Sequence, residues 1–251
     1  MGRRVHLGEI IAVLSGKGGT GKTSVCAGLA ISLAAQGKRV LCVDCDVGLR
    51  NLDISLGLSD NGALSFLDVM NGSYQLSDAT IHPGYPHLRF LTAPMNMPVE
   101  DIDLPGFSAM VTQAKGLFDY VFLDAPAGVD AGFRLVSARA DRFLLVTGPG
   151  PGAIRDACRV GELLELSGKN NIRLIVNRVD KGMLKAQHLT IDDVMDSAGL
   201  PLLGVVPEDD HVTLAASFGR CLAAHAPRCP SARAFKRISN RLQGIPEPIK
   251  L

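Results

Sequence analysis

Seven short apolar runs recur along the chain: residues 10–15 (IIAVLS), 39–44 (RVLCVD), 88–93 (LRFLTA), 120–125 (YVFLDA), 142–148 (RFLLVTG), 172–177 (IRLIVN) and 202–207 (LLGVVP). They are apolar throughout rather than alternating, which suits strands covered on both faces. Between most of them lie helix-like stretches, among them residues 23–36 closed by Gly37, 152–166 closed by Gly168 and 190–198 closed by Gly199. Strands alternating with helices predict an α/β fold built as a single doubly wound, mostly parallel sheet with right-handed crossovers. No repeat, Ser/Gly-rich linker or low-complexity block interrupts the pattern. Residues 1–251 therefore read as one domain, with a proline-containing tail over residues 245–251.

Composition narrows the partners. With 251 residues and 47% hydrophobic content the chain can bury a substantial core. Its 26 basic and 25 acidic residues leave a formal charge of +1, so no global field draws it to DNA or to an anionic membrane, and DNA is not an expected partner. The apolar stretch VCAGLAISLAA is far shorter than the roughly 20 residues that span a bilayer. The opening MGRRVHLGEIIAVL reads as the approach to a buried strand rather than an export signal, and His6 stands where an N-myristoyl signal needs Ser or Thr.

Six scattered cysteines (Cys26, Cys42, Cys45, Cys158, Cys221 and Cys229) point to reduced thiols in a cytoplasm. Cys42 and Cys45 have C-x-x-C spacing, but residues three apart on a strand face opposite ways, so two separate core thiols are expected. Cys221, His225 and Cys229 read as packing residues rather than metal ligands.

The chemistry concentrates at GKGGTGKT, residues 16–23, which meets G-x-x-x-x-G-K-[ST] with Gly16, Gly21, Lys22 and Thr23 and stands between a strand and a helix. Glycines let backbone N–H groups converge on phosphates, and the helix N-terminus adds its positive end. Lys22 is suited to reach the β- and γ-oxygens, and the Thr23 hydroxyl to ligate Mg²⁺. The candidate cradle comprises Gly16, Lys17, Gly18, Gly19, Thr20, Gly21, Lys22, Thr23 and Ser24. Asp124, after YVFL, is placed to hold the Mg²⁺ water shell, and Asp44 and Asp46 are expected to share a face at period two on the same sheet edge. These residues argue for an Mg²⁺-dependent NTPase whose switch loops read the γ-phosphate, without choosing ATP over GTP. The guanine-reading N-K-x-D is absent, because Arg178 follows Asn177.

Three stretches, KGGTGKTS, VDCDVGLRNLD and LDAPAG, together resemble the deviant-Walker ATPases of the MinD/ParA group, and the likeness continues through NRVDKGML and GVVPEDDHV. The resemblance implies a SIMIBI-type P-loop NTPase fold that uses ATP and Mg²⁺ and forms an ATP-sandwiched homodimer. Lys17 would be the signature lysine, delivered across the dimer to the partner's phosphates. A cation supplied in trans acts on phosphoryl transfer as an arginine finger does. By the same likeness Lys22 and Asp46 join Lys17 in catalysis, Asp46 orienting the attacking water. Thr23, Asp44 and Asp124 support the metal and Asn51 lies in a switch region. Asn177, Arg178, Pro207, Glu208 and Asp209 flank adenine.

The resemblance further implies a switch that recruits a MinC-like inhibitor at the inner face of the cell membrane, reset by a MinE-like activator, to place the division septum. Partitioning and flagellar-number ATPases share the pattern, as do iron–sulfur carriers, although the carriers' late C-x-x-C is missing here. Members of the septum-placing branch end in a basic amphipathic helix, whereas two prolines in IPEPIKL prevent one. Upstream, Phe235, Ile238 and Leu242 fall on one side and Arg233, Lys236, Arg237 and Arg241 elsewhere, which predicts a helix docked on the core. The loop TGPGPGAIRD also departs from the group, with Gly and Pro where acidic and small polar residues are usual.

Overall fold

The computed structural model describes residues 7–58, 62–95 and 97–250. His6 and Leu251 lie outside them. The strands are β1 (Glu9–Leu14), β2 (Val40–Asp44), β3 (Thr80–His82), β4 (Tyr85–Leu91), β5 (Tyr120–Asp124), β6 (Arg142–Thr147), β7 (Ile172–Val179) and β8 (Leu202–Pro207). The helices are α1 (Lys22–Ala34), α2 (Leu52–Leu56), α3 (Phe66–Met70), α4 (Leu104–Ala114), α5 (Ala131–Ser137) and α6 (Pro151–Leu166). They continue with α7 (Lys181–Ala186), α8 (Ile191–Ala198), α9 (Asp210–Ser217), α10 (Leu222–His225) and α11 (Pro230–Leu242).

All seven apolar runs form strands of one eight-stranded sheet, ordered β3-β4-β2-β5-β1-β6-β7-β8. Every pairing is parallel except β3 with β4, where the register shifts between Ile81 and His82. β3 has no counterpart among the apolar runs. It is a three-residue edge strand whose Ile81 faces solvent, too short for its pattern to rise above that of a loop.

Successive residues of the central strands feed opposite cores, as a two-residue period requires. Ile10, Ala12 and Leu14 pack with α4, α5 and α6, while Ile11 and Val13 pack with α1 and α11. Cys42 belongs to the second core and Cys45 to the first, so the C-x-x-C spacing separates the thiols across the sheet. Cys221 and Cys229 are also buried against the α1 side.

The predicted terminal helix is α11, and it docks. Phe235, Ile238 and Leu242 are buried in the core beside α1, each burial favouring the folded state by roughly 1.5–3 kcal/mol. Gly28 on α1 and Gly204 on β8 leave the space that Phe235 and Ile238 fill. Arg241 ties α11 to the sheet through the Leu203 carbonyl (2.6 Å), and its Nη1 donates to the carbonyl of Glu247 (2.8 Å). Asn240 donates to the Glu247 carboxylate (2.7 Å), so the tail folds back along its own helix.

Candidate functional site

The loop from Gly16 to Gly21 leaves β1 and enters α1 at the C-terminal edge of the sheet. Gly19 and Gly21 hold φ values of 80° and 81°, a left-handed region that side-chain-bearing residues avoid. No side chain caps α1 at Gly21, so the first N–H groups of this thirteen-residue helix keep their bonding capacity for a ligand. Such a terminus favours anions through its free donors and its dipole. Gly16 backs onto Asp156 of α6 so closely that a Cβ there has no room.

Lys22 stands on the first turn of α1 and is only 7% exposed. Its Nζ donates to Asp124 Oδ1 at 2.7 Å and lies 3.5 Å from Thr23 Oγ1. Burial disfavours the ammonium, but the Asp124 carboxylate outweighs that and raises the Lys22 pKa. Asp44 pairs with Asp124 in register on adjacent strands and is fully buried. Burial first, then the charge of Asp124, lifts its pKa to about 7.

The strand ends at Asp44, so the two-residue period does not carry through to Asp46. The chain turns instead, and Asp44 organises the turn. Its Oδ1 accepts the N–H of Asp46 (2.9 Å) and its Oδ2 that of Leu52 (3.1 Å), shaping the segment that carries Asp46 and Asn51. Asp46 is half-buried, and burial raises its pKa.

Asp44 and Asp124 lie side by side with one buried ammonium, which pairs with Asp124; burial, reinforced by the Asp124 charge, favours the protonated form of Asp44. Among the described residues no three His, Cys, Asp or Glu side chains converge as direct metal ligands. Mg²⁺ does not need them, since it characteristically takes one or two protein oxygens together with phosphates and retained waters. Thr23 Oγ1 and Asp124 supply hard oxygens beside Lys22, with Asp44 behind them. The donor set fits Mg²⁺.

Lys17 is placed differently. It is exposed, and its Nζ extends beside Gly152 at the start of α6. The two lysines of one loop thus occupy opposite environments.

On the far side of the loop, Asn177 and Arg178 from β7 meet the Pro207–Asp209 turn after β8. Asn177 Nδ2 donates to the Thr20 carbonyl (2.8 Å) and Arg178 Nη1 to the Gly19 carbonyl (3.1 Å). The Arg178 fork also grips Glu208 at 3.0 and 3.2 Å. Asp209 caps α9 and accepts the N–H of Ser231, with the carboxyl held at a pKa of about 2; burial opposes the ionised form, but this bond and those from Cys229 and His211 outweigh it. A cleft of about 130 Å³ lies among these residues, with Ser24 at its loop end. Phe235 and Ser231 of α11 and Val212 of α9 complete its wall. The sequence pattern marked Phe235 as a packing residue. Its second role depends on where α11 lands, which the local pattern does not carry.

A strand–loop–helix phosphate cradle, a metal-suited carboxylate edge and a base-sized cleft on a parallel α/β sheet define a P-loop nucleotide-binding protein. The chain belongs to the CobQ/CobB/MinD/ParA nucleotide-binding family, whose model matches residues 11–222. It is 37% identical over 240 residues to the septum site-determining protein MinD of Synechocystis, covering 95% of this chain and 90% of that protein. It also superimposes on a chain of the MinC:MinD cell division protein complex of Aquifex aeolicus with a TM-score of 0.89 and 34% identity, over 97% of this chain and 99% of that one. The septum site-determining protein MinD of Pyrococcus horikoshii, solved with Mg-ADP, is similar at TM-score 0.82 and 28% identity, over 94% and 96% of the two chains.

Proposed function

We propose that the chain is an Mg-ATP-dependent, dimerising ATPase switch of the MinD type that serves placement of the division septum, residues 1–251 acting as one ATPase unit. The observation that carries the reading is the division of labour between Lys22 and Lys17. Lys22 is buried and neutralises charge within its own site, while Lys17 extends into solvent beside α6, free to enter the site of a second copy.

Each residue then has a task. Backbone N–H groups from Gly16 to Gly21, with Thr23 and Ser24 behind them, bind the phosphates, and Lys22 compensates their β/γ charge. Thr23 and Asp124 hold Mg²⁺, which when bound neutralises the phosphate oxygens, and Asp44 supports that edge. By holding the turn to Leu52, Asp44 also sets Asp46 and Asn51 in position. Asp46 accepts a proton from, or orients, the attacking water. Asn177, Arg178, Pro207, Glu208 and Asp209 surround the adenine. The partner's Lys17 completes charge compensation only once two copies close, so hydrolysis waits on dimerisation.

The Aquifex relative is solved with MinC, which supports a MinC-like inhibitor as a partner; a MinE-like activator that resets the switch belongs to the same proposal. No described helix is long and apolar enough to cross a membrane. With α11 docked and the tail folded back, the apolar side of this helix is taken up by the core, and association with the inner face of the cell membrane stays part of the proposal. The test is Lys17→Ala: it retains Mg-ATP binding and loses hydrolysis. Parent-like turnover by that variant contradicts the assignment.

A further inference from the structure

Arg178 holds an unusual position for its contacts. Its backbone lies at φ 59°, a left-handed region that arginine seldom adopts, where the β7–β8 register shifts between Val176 and Val179. The side chain is largely exposed, and exposed ion pairs contribute little to stability. The Glu208 pair alone therefore does not account for the strained backbone. What the conformation achieves is a span: one guanidinium reaches both carboxylate oxygens of Glu208 and the carbonyl of Gly19. Glu208 lines the base-sized cleft and belongs to the turn anchored by Asp209 and Ser231, while Gly19 is inside the phosphate loop. The neighbouring Asn177 grips the next carbonyl, of Thr20.

We propose that Arg178 is a positioning residue that couples the two halves of the nucleotide site: a nucleobase settling against Glu208 fixes the Arg178 fork, and the fork holds the Gly19 peptide in its phosphate-binding orientation. This deepens the nucleotide-switch reading and rests on it. The consequence is that a ligand with a base but no phosphates orders Gly19, a loop residue outside the lining of the cleft it occupies. Lysine cannot substitute, because a point charge does not span two partners as a planar fork does.

Hydrogen exchange of the full-length chain tests this with three probes: adenosine, inorganic pyrophosphate and Mg-ADP. In the parent, saturating adenosine slows exchange of residues 16–20, which do not line the cleft, about fivefold, the low end of ordinary site-to-site coupling. In R178A and R178K that protection is lost although adenosine, at saturation, still protects residues 207–213, and pyrophosphate, which holds the loop directly, still protects it in all three proteins. Loss of adenosine protection at residues 207–213 in both variants makes Arg178 a base contact and overturns the coupling. R178K keeps the charge and guards against a folding defect in R178A. Protection by adenosine confined to residues 207–213 of the parent overturns the coupling. Loss of pyrophosphate protection in R178K also overturns it, because Arg178 is then a support for the loop rather than a link. If Mg-ADP protects no segment of the parent, the nucleotide-binding reading itself falls, an outcome distinct from the others.

Discussion

The inner and outer edges of the phosphate loop are built on opposite principles. On the inner edge Lys22, Asp44 and Asp124 are buried and satisfied within one chain, by an ion pair of 2.7 Å and two backbone hydrogen bonds. On the outer edge Lys17 and Asn51 are exposed and Asp46 is only half-buried. A buried charged cluster keeps its geometry because breaking it is costly, whereas exposed groups are free to meet a partner. The inner edge is a finished binding site. The outer edge, on the proposed reading, is half of one.

The strongest way to break this contrast is at Lys17. Removing a charge delivered in trans to a phosphoryl-transfer site costs about 10³-fold or more in turnover, so Lys17→Ala is expected to lose that much kcat. Its unfolding free energy in urea should stay within about 0.5 kcal/mol of the parent, as for other exposed substitutions. Lys22→Ala behaves in the opposite sense. It strands the buried Asp124 carboxylate without its cation, and a loss of about 3–5 kcal/mol of stability is expected, measured by the same urea titration. Equal stability losses for the two variants would erase the distinction between the edges.

The pH dependence of the nucleotide-free protein sharpens the same point. Asp44 has a folded pKa of about 7 against an ordinary value of 3.8, so between those values the folded state holds a proton that the unfolded state has released. Stability contributed by this carboxyl is complete below about pH 4 and is lost as pH rises through 7, a swing of about 2–4 kcal/mol. Asp44→Asn should flatten that slope in thermal melts taken across pH 4–8, and Mg-ATP should flatten it in the parent. An unchanged slope in the variant places the titration elsewhere. The smallest effect concerns Thr20, whose hydroxyl is buried with no hydrogen-bond partner among the described residues. Thr20→Val keeps the shape and removes the orphan, and is expected to raise the stability of the nucleotide-free protein by about 1 kcal/mol in the same urea titration.

What could be read along the chain was what is local. Seven apolar runs announce the strands because a doubly covered strand needs no alternation, and the glycines at 19 and 21 announce a loop only they can make. Phe235, Ile238 and Leu242 announce a docked helix. The short edge strand at Thr80–His82 gives no such signal. Nor does the turn held by Asp44, because a strand's period says nothing about the residue after the strand ends. The grip of Asn177 and Arg178 on the loop joins residues 157 and 159 positions apart, a relation set by sheet order and by the register shift in β7. The cleft wall contributed by α11 is a product of packing in the same way.

The central claim is that the outer edge is completed by a second copy. Light scattering of the full-length protein with Mg²⁺ and a non-hydrolysable ATP analogue measures this directly. The account predicts a mass twice that of one chain with the analogue, and a single-chain mass with ADP. A single-chain mass in both states, with the analogue demonstrably bound, contradicts it.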